Sequence, residues 1–241
     1  MINMKKKYVR ADGRKTDEMR PFTLKVGVLK NADGSAEIRL GENWIVVGVY
    51  GPKEHHPKFE ISQEKAIVKC RYHMAPYSVA ERKSPKPSRR EIELSKVIGQ
   101  ALEPALLLEE FPEMGIYIFI EVLQAEGSTR VASITAASLA LADAGLPMHD
   151  LVAACSAGKV DGHLILDVGE DEDKMGEADL PVAIMPNLQR VTLLQMDGQL
   201  TQEEFKKAFD LAVSGAMKLN EAQVETLKQK IEKMTSLEER G

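Results

Sequence analysis

Apolar residues in the first third of the chain fall in short runs that turn-forming residues separate. The runs are typical of β-strands and cover Phe22–Val28, Ala36–Leu40 and Trp44–Tyr50. The segments Asn31-Ala32-Asp33-Gly34 and Gly41-Glu42-Asn43 are rich in glycine, asparagine and aspartate, so they predict the turns of an antiparallel meander. Lys65–Met74 predicts a further strand, which Pro76 helps to end. Closely spaced strands joined by turns argue against a purely parallel sheet.

The spacing of apolar residues then changes to a helical period. From Arg89 to about Leu108 they fall on one face, with Ser88 as N-cap and Glu91 placed to complete a capping box. The almost continuous apolar run Gly115–Leu123 predicts a strand covered on both faces. A second helix is predicted from about Arg130 to Ala144, with small residues that favour close packing.

The last third of the chain predicts more strands and one long helix. The strands are Leu151–Ala157, Leu164–Val168, Leu180–Met185 and Val191–Met196. The helix starts near Thr201, and its charged end, Lys228–Gly241, is expected to fray into solvent. Sheets with helices between them, but without strict βαβ alternation, predict the α+β class with mixed sheets packed against helices.

Composition and charge narrow the possible functions. The chain has 241 residues, 44% apolar and 29% charged, as a globular protein has. Met1–Lys7 has no apolar run behind it and Ile116–Ile120 is far too short to span a bilayer, so we expect no export, no membrane contact and a cytoplasmic location. Two cysteines, Cys70 and Cys155, predict buried thiols rather than disulfides or zinc ligands. With a net charge of −5, any RNA binding must use local basic clusters or partner subunits.

The segment 124–130 joins the end of the buried strand to the start of the second helix. Gly127, Ser128, Thr129 and Arg130 combine a flexible backbone, two hydroxyls and a guanidinium with the free N–H groups of a helix start. This combination predicts an anion site of phosphate size. The alternative is an ordinary cap, with Ser128 or Thr129 as N-cap and Arg130 on the surface.

Two charged segments are further candidates for function, one acidic and one basic. The acidic loop 170–173 precedes Asp179, and two fixed carboxylates can bind magnesium or act as a general acid. For Asp171 and Glu172 we expect a solvated face instead. The segment 82–90 holds five basic residues in a proline-stiffened stretch that suits RNA phosphates. Its alternative is a linker whose charges pair with nearby glutamates, Glu91 and Glu93.

Several motifs, in order, resemble the RNase PH family of phosphorolytic ribonucleases, and in particular the catalytic subunits of archaeal RNA exosomes. The resemblance covers roughly residues 8 to 225. The motifs are Arg10-Ala11-Asp12-Gly13-Arg14-Lys15 with Arg20-Pro21, Arg71-Tyr72-His73-Met74-Ala75-Pro76, the stretch from Lys83 to Lys96, Gly176-Glu177-Ala178-Asp179, and Leu193-Leu194-Gln195-Met196-Asp197-Gly198.

The resemblance implies an RNase PH-type fold in a hexameric ring, an N-terminal part over 1–149, a C-terminal part over 150–220 and a charged helical tail over 221–241, all one compact unit. It implies 3′-to-5′ phosphorolysis of RNA with a free 3′ end, inorganic phosphate as co-substrate and magnesium as cofactor. A homologous RNase PH-like partner subunit and RNA-binding cap subunits are the implied partners.

The same resemblance implies roles for single residues. Ser128, Thr129 and Arg130 hold the attacking phosphate, and Asp173 and Asp179 supply the general acid and the metal ligands, with Asp173 favoured as the acid. The RNA-binding residues are Arg89, Arg90 and, at the entry neck, Lys58.

This chain departs from the family pattern at one position, because Ser128 stands where a glycine usually precedes the hydroxyl residue and the arginine. Either the strained glycine conformation is absent or serine tolerates it. Two other functions stay open on the sequence: a bacterial-type RNase PH homo-oligomer that trims tRNA 3′ ends, and a non-catalytic RNA-binding ring subunit.

Overall fold

The computed structural model describes residues 9–10 and 12–238, so Met1–Lys7 lies outside the described residues. The strands are β1 (Phe22–Val26), β2 (Gly34–Leu40), β3 (Asn43–Glu54), β4 (Ile67–Met74), β5 (Met114–Gln124), β6 (Ala153–Val160), β7 (His163–Leu166), β8 (Ala178–Met185), β9 (Arg190–Leu194) and β10 (Asp197–Gly198). The helices are α1 (Arg89–Leu102), α2 (Thr129–Asp143), α3 (Glu170–Met175) and α4 (Gln202–Glu238).

The first sheet has the order β1-β2-β3-β5-β4 and contains the predicted meander. β1, β2 and β3 pair antiparallel in sequence, and β3 pairs antiparallel with β5. β4 pairs parallel with β5, so the sheet is mixed. Helix α1 packs on β4 and α2 on β2 and β3, over a core that includes Ile38, Ile45, Ile118 and Ile134.

The second sheet has the order β10-β8-β6-β7, and β9 pairs with β8. Helix α4 packs on β6, β7 and β8. Helix α2 contacts the first sheet and also β6, and Ala132, Ala136, Ala137 and Ala140 are fully buried in it. Two sheets packed on helices confirm the predicted α+β class, and the small residues of α2 let both sheets approach one helix.

Three boundaries differ from the sequence predictions. α1 ends at Leu102 rather than near Leu108, because Pro104 has no N–H to continue the helix and a 3₁₀ turn follows at Glu103–Ala105. The predicted acidic loop at 170–173 is instead the first part of α3. Lys228–Gly241 was expected to fray, but α4 continues to Glu238, and Lys230 donates to Asp143 at 2.6 Å, which ties the helix to α2. Residues 239–241 lie outside the described residues.

Two other expectations concerned membrane-spanning segments and the two cysteines. Over residues 9–10 and 12–238, no helix combines the length and the apolar character needed to cross a membrane. Both cysteines are free thiols; Cys155 is fully buried and Cys70 is partly buried. Burial raises the pKa of the Cys70 thiol to about 12.

Candidate active site

A pocket of about 700 Å³ lies where the first turns of α1 and α2 meet α3 and the start of β8. It brings together seven of the eight residues that the sequence analysis assigned to function. These residues are Arg89, Arg90, Ser128, Thr129, Arg130, Asp173 and Asp179. They come from four separate segments of the chain, so only the fold makes them neighbours.

The connection from β5 to α2 is held in a left-handed conformation. Gly127 has φ +74°, and a Cβ placed on it would lie 2.7 Å from the backbone of Gly169 and Glu170, so this position requires glycine. Ser128 follows with φ 56° and ψ 24°. Serine therefore tolerates the conformation at the position where the family pattern has glycine.

The Ser128 side chain holds the two halves of the site together instead of capping α2. Its hydroxyl donates to the carbonyl of Val168 at 2.7 Å and lies 2.7 Å from the Ser156 hydroxyl. It makes no capping hydrogen bond to the helix, so the alternative of an ordinary Ser128 cap is wrong. The first N–H groups of α2 are left for another acceptor, as an anion site requires.

Arg130 is not a free surface arginine. Its Nη1 donates to Gln195 Oε1 at 2.6 Å, which fixes the guanidinium at the pocket wall. Its Nε is buried and has no hydrogen-bond partner among the described residues. An unpaired buried donor of this kind costs free energy unless a ligand accepts its proton. A bound phosphate would supply that acceptor.

Arg89 and Arg90 open α1, and the predicted capping box is present. Ser88 Oγ accepts from Glu91 N at 3.2 Å, and Glu91 Oε2 accepts from Ser88 N at 2.6 Å. Glu91 Oε1 also accepts from Met74 N at 2.9 Å, so Glu91 has little capacity left for an arginine.

The alternative of a linker neutralised by its own glutamates is therefore wrong for these two arginines. Arg89 and Arg90 are exposed, and within the described part of the chain neither forms an ion pair. Cations at the positive end of a helix dipole are unfavourable. Their position is therefore better suited to an anionic ligand than to stabilising α1.

Asp173 lies on α3 and Asp179 at the start of β8. Asp173 is exposed in the pocket, whereas Asp179 is largely buried and its Oδ1 has no partner among the described residues. Burial raises the pKa of Asp179 to about 6, the charge of Asp173 adds to the shift, and Arg130 opposes it. Burial thus keeps the Asp179 carboxyl protonated to a higher pH than an ordinary aspartate.

The metal ligands that the family resemblance implies are these two aspartates. Among the described residues no group of three or more histidine, cysteine, aspartate or glutamate side chains is arranged to hold an ion. Magnesium binds through one or two carboxylates and takes its other oxygens from water and substrate phosphates. The two aspartates, with the unpartnered Oδ1 of Asp179, fit that pattern.

The expectation of a solvated Glu172 is wrong. Glu172 is buried and accepts from Arg10 Nε and Nη2, both at 2.7 Å, and from Gly169 N at 2.9 Å. Arg10 also donates to the Leu166 carbonyl at 2.7 Å. This bidentate pair fixes α3, and with it Asp173, to the amino-terminal segment. Asp171 is exposed, as expected.

A second buried pair supports the other wall of the pocket. Arg20 Nη2 and Nε donate to the two oxygens of Asp167 at 2.6 and 2.9 Å, and Arg20 also bonds the Glu126 carbonyl. Burial alone would raise the pKa of the Asp167 carboxyl, but its hydrogen bonds to Arg20 lower that pKa by more. The net pKa is below the ordinary value, so the carboxylate stays ionised. Four further polar residues of the site had no role assigned from the sequence. Asp167 and Ser156 lie in no motif, whereas Gln195 and Asp197 lie in the family motif Leu193–Gly198, which offered a signal for them.

Lys58 lies away from the pocket. It is exposed in a 3₁₀ turn after β3, and the end of β3 pairs with the start of β5 through Glu54 and Met114. The pocket lies beyond the other end of β5, roughly 30 Å away at the usual rise per strand residue. The role of Lys58 at an entry neck stays a prediction.

Family models match both parts of the chain. The model for the 3′ exoribonuclease family, domain 1, matches residues 18–147, and the model for domain 2 matches residues 150–215. The chain belongs to the RNase PH family of 3′ exoribonucleases. The match of the first model includes all the residues of the anion site, and that of the second includes both aspartates.

Curated RNase PH relatives align over almost the whole chain. "Exosome complex component Rrp41" of Pyrococcus furiosus is 62% identical over 92% of this chain and 88% of the relative. The protein of the same name from Nitrosopumilus maritimus is 54% identical over 95% of this chain and 94% of the relative.

Solved structures share the fold at lower identity. Rice Rrp46 superposes with a TM-score of 0.82 and 24% identity over 91% of this chain and 100% of the rice chain. A chain from the Archaeoglobus fulgidus exosome with RNA bound to the active site gives a TM-score of 0.78 and 24% identity, over 88% of this chain and 92% of that one. These likenesses establish the RNase PH-type fold.

Proposed function

We propose that the chain is the catalytic subunit of an archaeal-type exosome, a 3′-to-5′ exoribonuclease that uses inorganic phosphate to release nucleoside diphosphates from RNA. The proposal rests on one observation above all. A single pocket joins a helix start that Ser128 does not cap and Arg130, two arginines without an ion pair among the described residues, and a carboxyl pair in which the pKa of Asp179 is raised. Phosphorolysis needs these three groups together.

Each group has a part in the reaction. The N–H groups at the start of α2, Thr129 and Arg130 hold the phosphate, with Ser128 shaping the turn. Arg89 and Arg90 hold the RNA backbone next to the bond that breaks. Asp173 delivers the proton, as the family resemblance implies, and its side chain is exposed in the pocket, whereas Asp179 beside it is partly buried.

In the reaction, an oxygen of inorganic phosphate attacks the phosphorus of the last phosphodiester and forms a new P–O bond. The bond from that phosphorus to the 3′ oxygen of the preceding nucleotide breaks, and that oxygen takes the proton. The terminal nucleotide leaves as a nucleoside 5′-diphosphate, and the shortened RNA ends in a 3′-hydroxyl. Because phosphate and not water attacks, little free energy is lost and the reverse reaction adds 3′ tails.

Asp173 and Asp179 would hold magnesium together with phosphate oxygens. The cation would neutralise charge that develops between the two phosphoryl groups. Positioning and neutralisation by the arginines supply the rest of the rate enhancement, since the reacting atoms must be in line.

We also propose a hexameric ring with a homologous RNase PH-like partner subunit, RNA-binding cap subunits and a cytoplasmic location. The exosome names of the relatives support the assembly. The charge of the chain supports it as well, because a chain with a net charge of −5 binds RNA best through local arginines inside a channel. Lys58, which lies away from the pocket, would then contact the RNA before its 3′ end reaches the pocket.

The two other functions have less support. A bacterial-type RNase PH would use the same pocket without a partner, but the relatives aligned over most of the chain carry exosome names. A non-catalytic ring subunit would lack the arginines or the carboxyl pair, and this chain has both in one pocket.

The test is product analysis with a 3′-hydroxyl oligoribonucleotide, magnesium and inorganic phosphate, with the chain alone and with its RNase PH-like partner. The proposal expects nucleoside diphosphates that appear only with phosphate and in larger amount with the partner. Full activity alone would favour the bacterial-type enzyme. Nucleoside monophosphates would show hydrolysis, and no product with the partner would indicate a non-catalytic subunit.

A further inference from the structure

Tyr72 connects the two helix starts that line the pocket. It lies on β4 and its side chain is only 2% exposed. Its backbone N–H donates to Ser95 Oγ at 2.9 Å, and Ser95 Oγ donates to the Glu91 carbonyl at 2.6 Å, both on α1. Its phenol hydroxyl donates to Thr129 Oγ1 at 2.9 Å, at the first position of α2.

The bond from Tyr72 determines what Thr129 can do. A threonine hydroxyl has one proton and two lone pairs, and here one lone pair already accepts the proton of Tyr72. Within the described residues no protein group accepts the proton of Thr129 itself. Thr129 is 7% exposed and lines the pocket, so its hydroxyl is available as a donor to an anion there.

We propose that Tyr72 is a positioning residue for the attacking phosphate: it holds the Thr129 hydroxyl in the orientation that donates into the anion site, and it keeps that site in register with α1. This inference rests on the proposed function, because it assigns Thr129 to phosphate binding. Tyr72 touches neither phosphate nor RNA and acts through Thr129.

The surroundings of Tyr72 keep it in its donor form. Burial raises the pKa of the phenol, and the bond that it donates to Thr129 also favours the neutral form. The hydroxyl therefore stays protonated over the whole working range of pH. An experiment must therefore remove the Tyr72 hydroxyl and leave the rest of the side chain in place.

Tyr72→Phe removes the hydroxyl and keeps the ring. With the partner subunit present, we expect the phosphate concentration for half-maximal turnover to rise about three- to tenfold, the effect of one buried hydrogen bond. Turnover at saturating phosphate and RNA affinity should change less than about twofold. Protection of the chain by phosphate against thermal unfolding, measured without RNA, should weaken by a similar factor.

Two controls separate positioning from a general structural effect. Tyr117→Phe also removes a tyrosine hydroxyl bond, the one at 2.8 Å to His55 Nδ1 at the other end of β5, and it should leave the phosphate requirement unchanged. Tyr72→Phe combined with Thr129→Val should be no worse than Thr129→Val alone, because both remove one contact.

An unchanged phosphate requirement in an active Tyr72→Phe enzyme would overturn the inference, as would fully additive effects in the double variant. If instead the unaltered enzyme with its partner shows no phosphate-dependent turnover, the proposed function fails. The thermal measurement then still decides whether Tyr72 supports an anion site.

Discussion

At the scale of single residues, the site contains buried polar atoms to which the protein offers no hydrogen-bond partner. Asp179 Oδ1 and Arg130 Nε are both buried without a protein partner among the described residues. Buried polar groups in folded proteins are nearly always paired, and these two exceptions both belong to residues that line one pocket, where a bound ligand would pair them. The raised pKa of Asp179 has the same origin, since water has been removed and a second carboxylate lies near.

Asp173→Asn tests the assignment of the acid. The amide is nearly the same size but cannot donate a carboxyl proton or hold magnesium, so we expect turnover to fall by at least about a hundredfold. RNA affinity should change less than about threefold. Asp171→Asn, an exposed neighbour on α3, is the matched control and should keep full activity. Unchanged turnover in Asp173→Asn would remove Asp173 from the mechanism.

Asp179→Asn should change how stability depends on pH. Because the folded pKa of Asp179 is about 6 and its ordinary value is 3.8, the folded protein is stabilised by protonation, and this contribution is lost as pH rises through 6. The variant cannot ionise, so at pH 7.5 it should be more stable than the unaltered protein by about 3 kcal/mol.

Urea unfolding at pH 4 and pH 7.5 makes the comparison. At pH 4 most of the difference should vanish, because Asp179 is protonated in the folded protein and about half protonated in the unfolded one. A gain of equal size at both values of pH would show that ionisation of Asp179 does not carry the effect.

At the scale of elements, α1 and α3 show what sequence can and cannot predict. The start of α1 was predictable, because Ser88 and Glu91 form a capping box within three residues and the apolar face follows at once. Helix α3 has six residues, five of them charged, so no apolar period reveals it. Its anchor is Glu172, whose partner Arg10 lies 162 residues away in the chain.

The candidate site likewise contains some residues that the sequence could predict and others that it could not. The strand-to-helix segment with Ser128 and Arg130 was predictable from its residue types at one junction. Gln195, Asp167 and Tyr72 were not, because each of them makes its contact with a residue at least 57 positions away in the chain. A single sequence carries no signal for such distant pairing.

The Arg10–Glu172 pair predicts a large difference between neighbouring positions on α3. Glu172→Ala leaves the guanidinium of Arg10 buried without a carboxylate, so we expect a loss of about 3–5 kcal/mol in stability. Asp171→Ala removes an exposed carboxylate from the same turn and should cost less than about 1 kcal/mol. Denaturant unfolding of both variants measures the difference, and similar losses would mean that α3 is not anchored through this pair.

At the scale of the whole molecule, a net negative charge coexists with a local group of arginines. Arg89, Arg90 and Arg130 line one pocket together with the carboxyl groups of Glu93, Asp173, Asp179 and Asp197, so RNA phosphates would meet individual arginines there and not a uniformly basic surface. A binding site built this way contacts few phosphates. RNA affinity should therefore fall less steeply with salt than it does for a protein with a basic surface.

Arg90→Ala should weaken RNA binding for every sequence and reduce the slope of log affinity against log salt by about 1. Lys25→Ala removes an exposed cation on β1, at the far edge of the first sheet, and should leave both quantities unchanged. Binding titrations at several salt concentrations, with the partner subunit present, measure the slopes. Equal slopes for the unaltered protein and Arg90→Ala would show that Arg90 does not contact an RNA phosphate.

The central claim is that phosphate, and not water, is the attacking group. Its most direct test follows labelled inorganic phosphate into the product during RNA degradation by the chain with its partner subunit. The account predicts that the label appears in the terminal phosphoryl group of nucleoside diphosphates, one label for each nucleotide released. Degradation to unlabelled nucleoside monophosphates would contradict it.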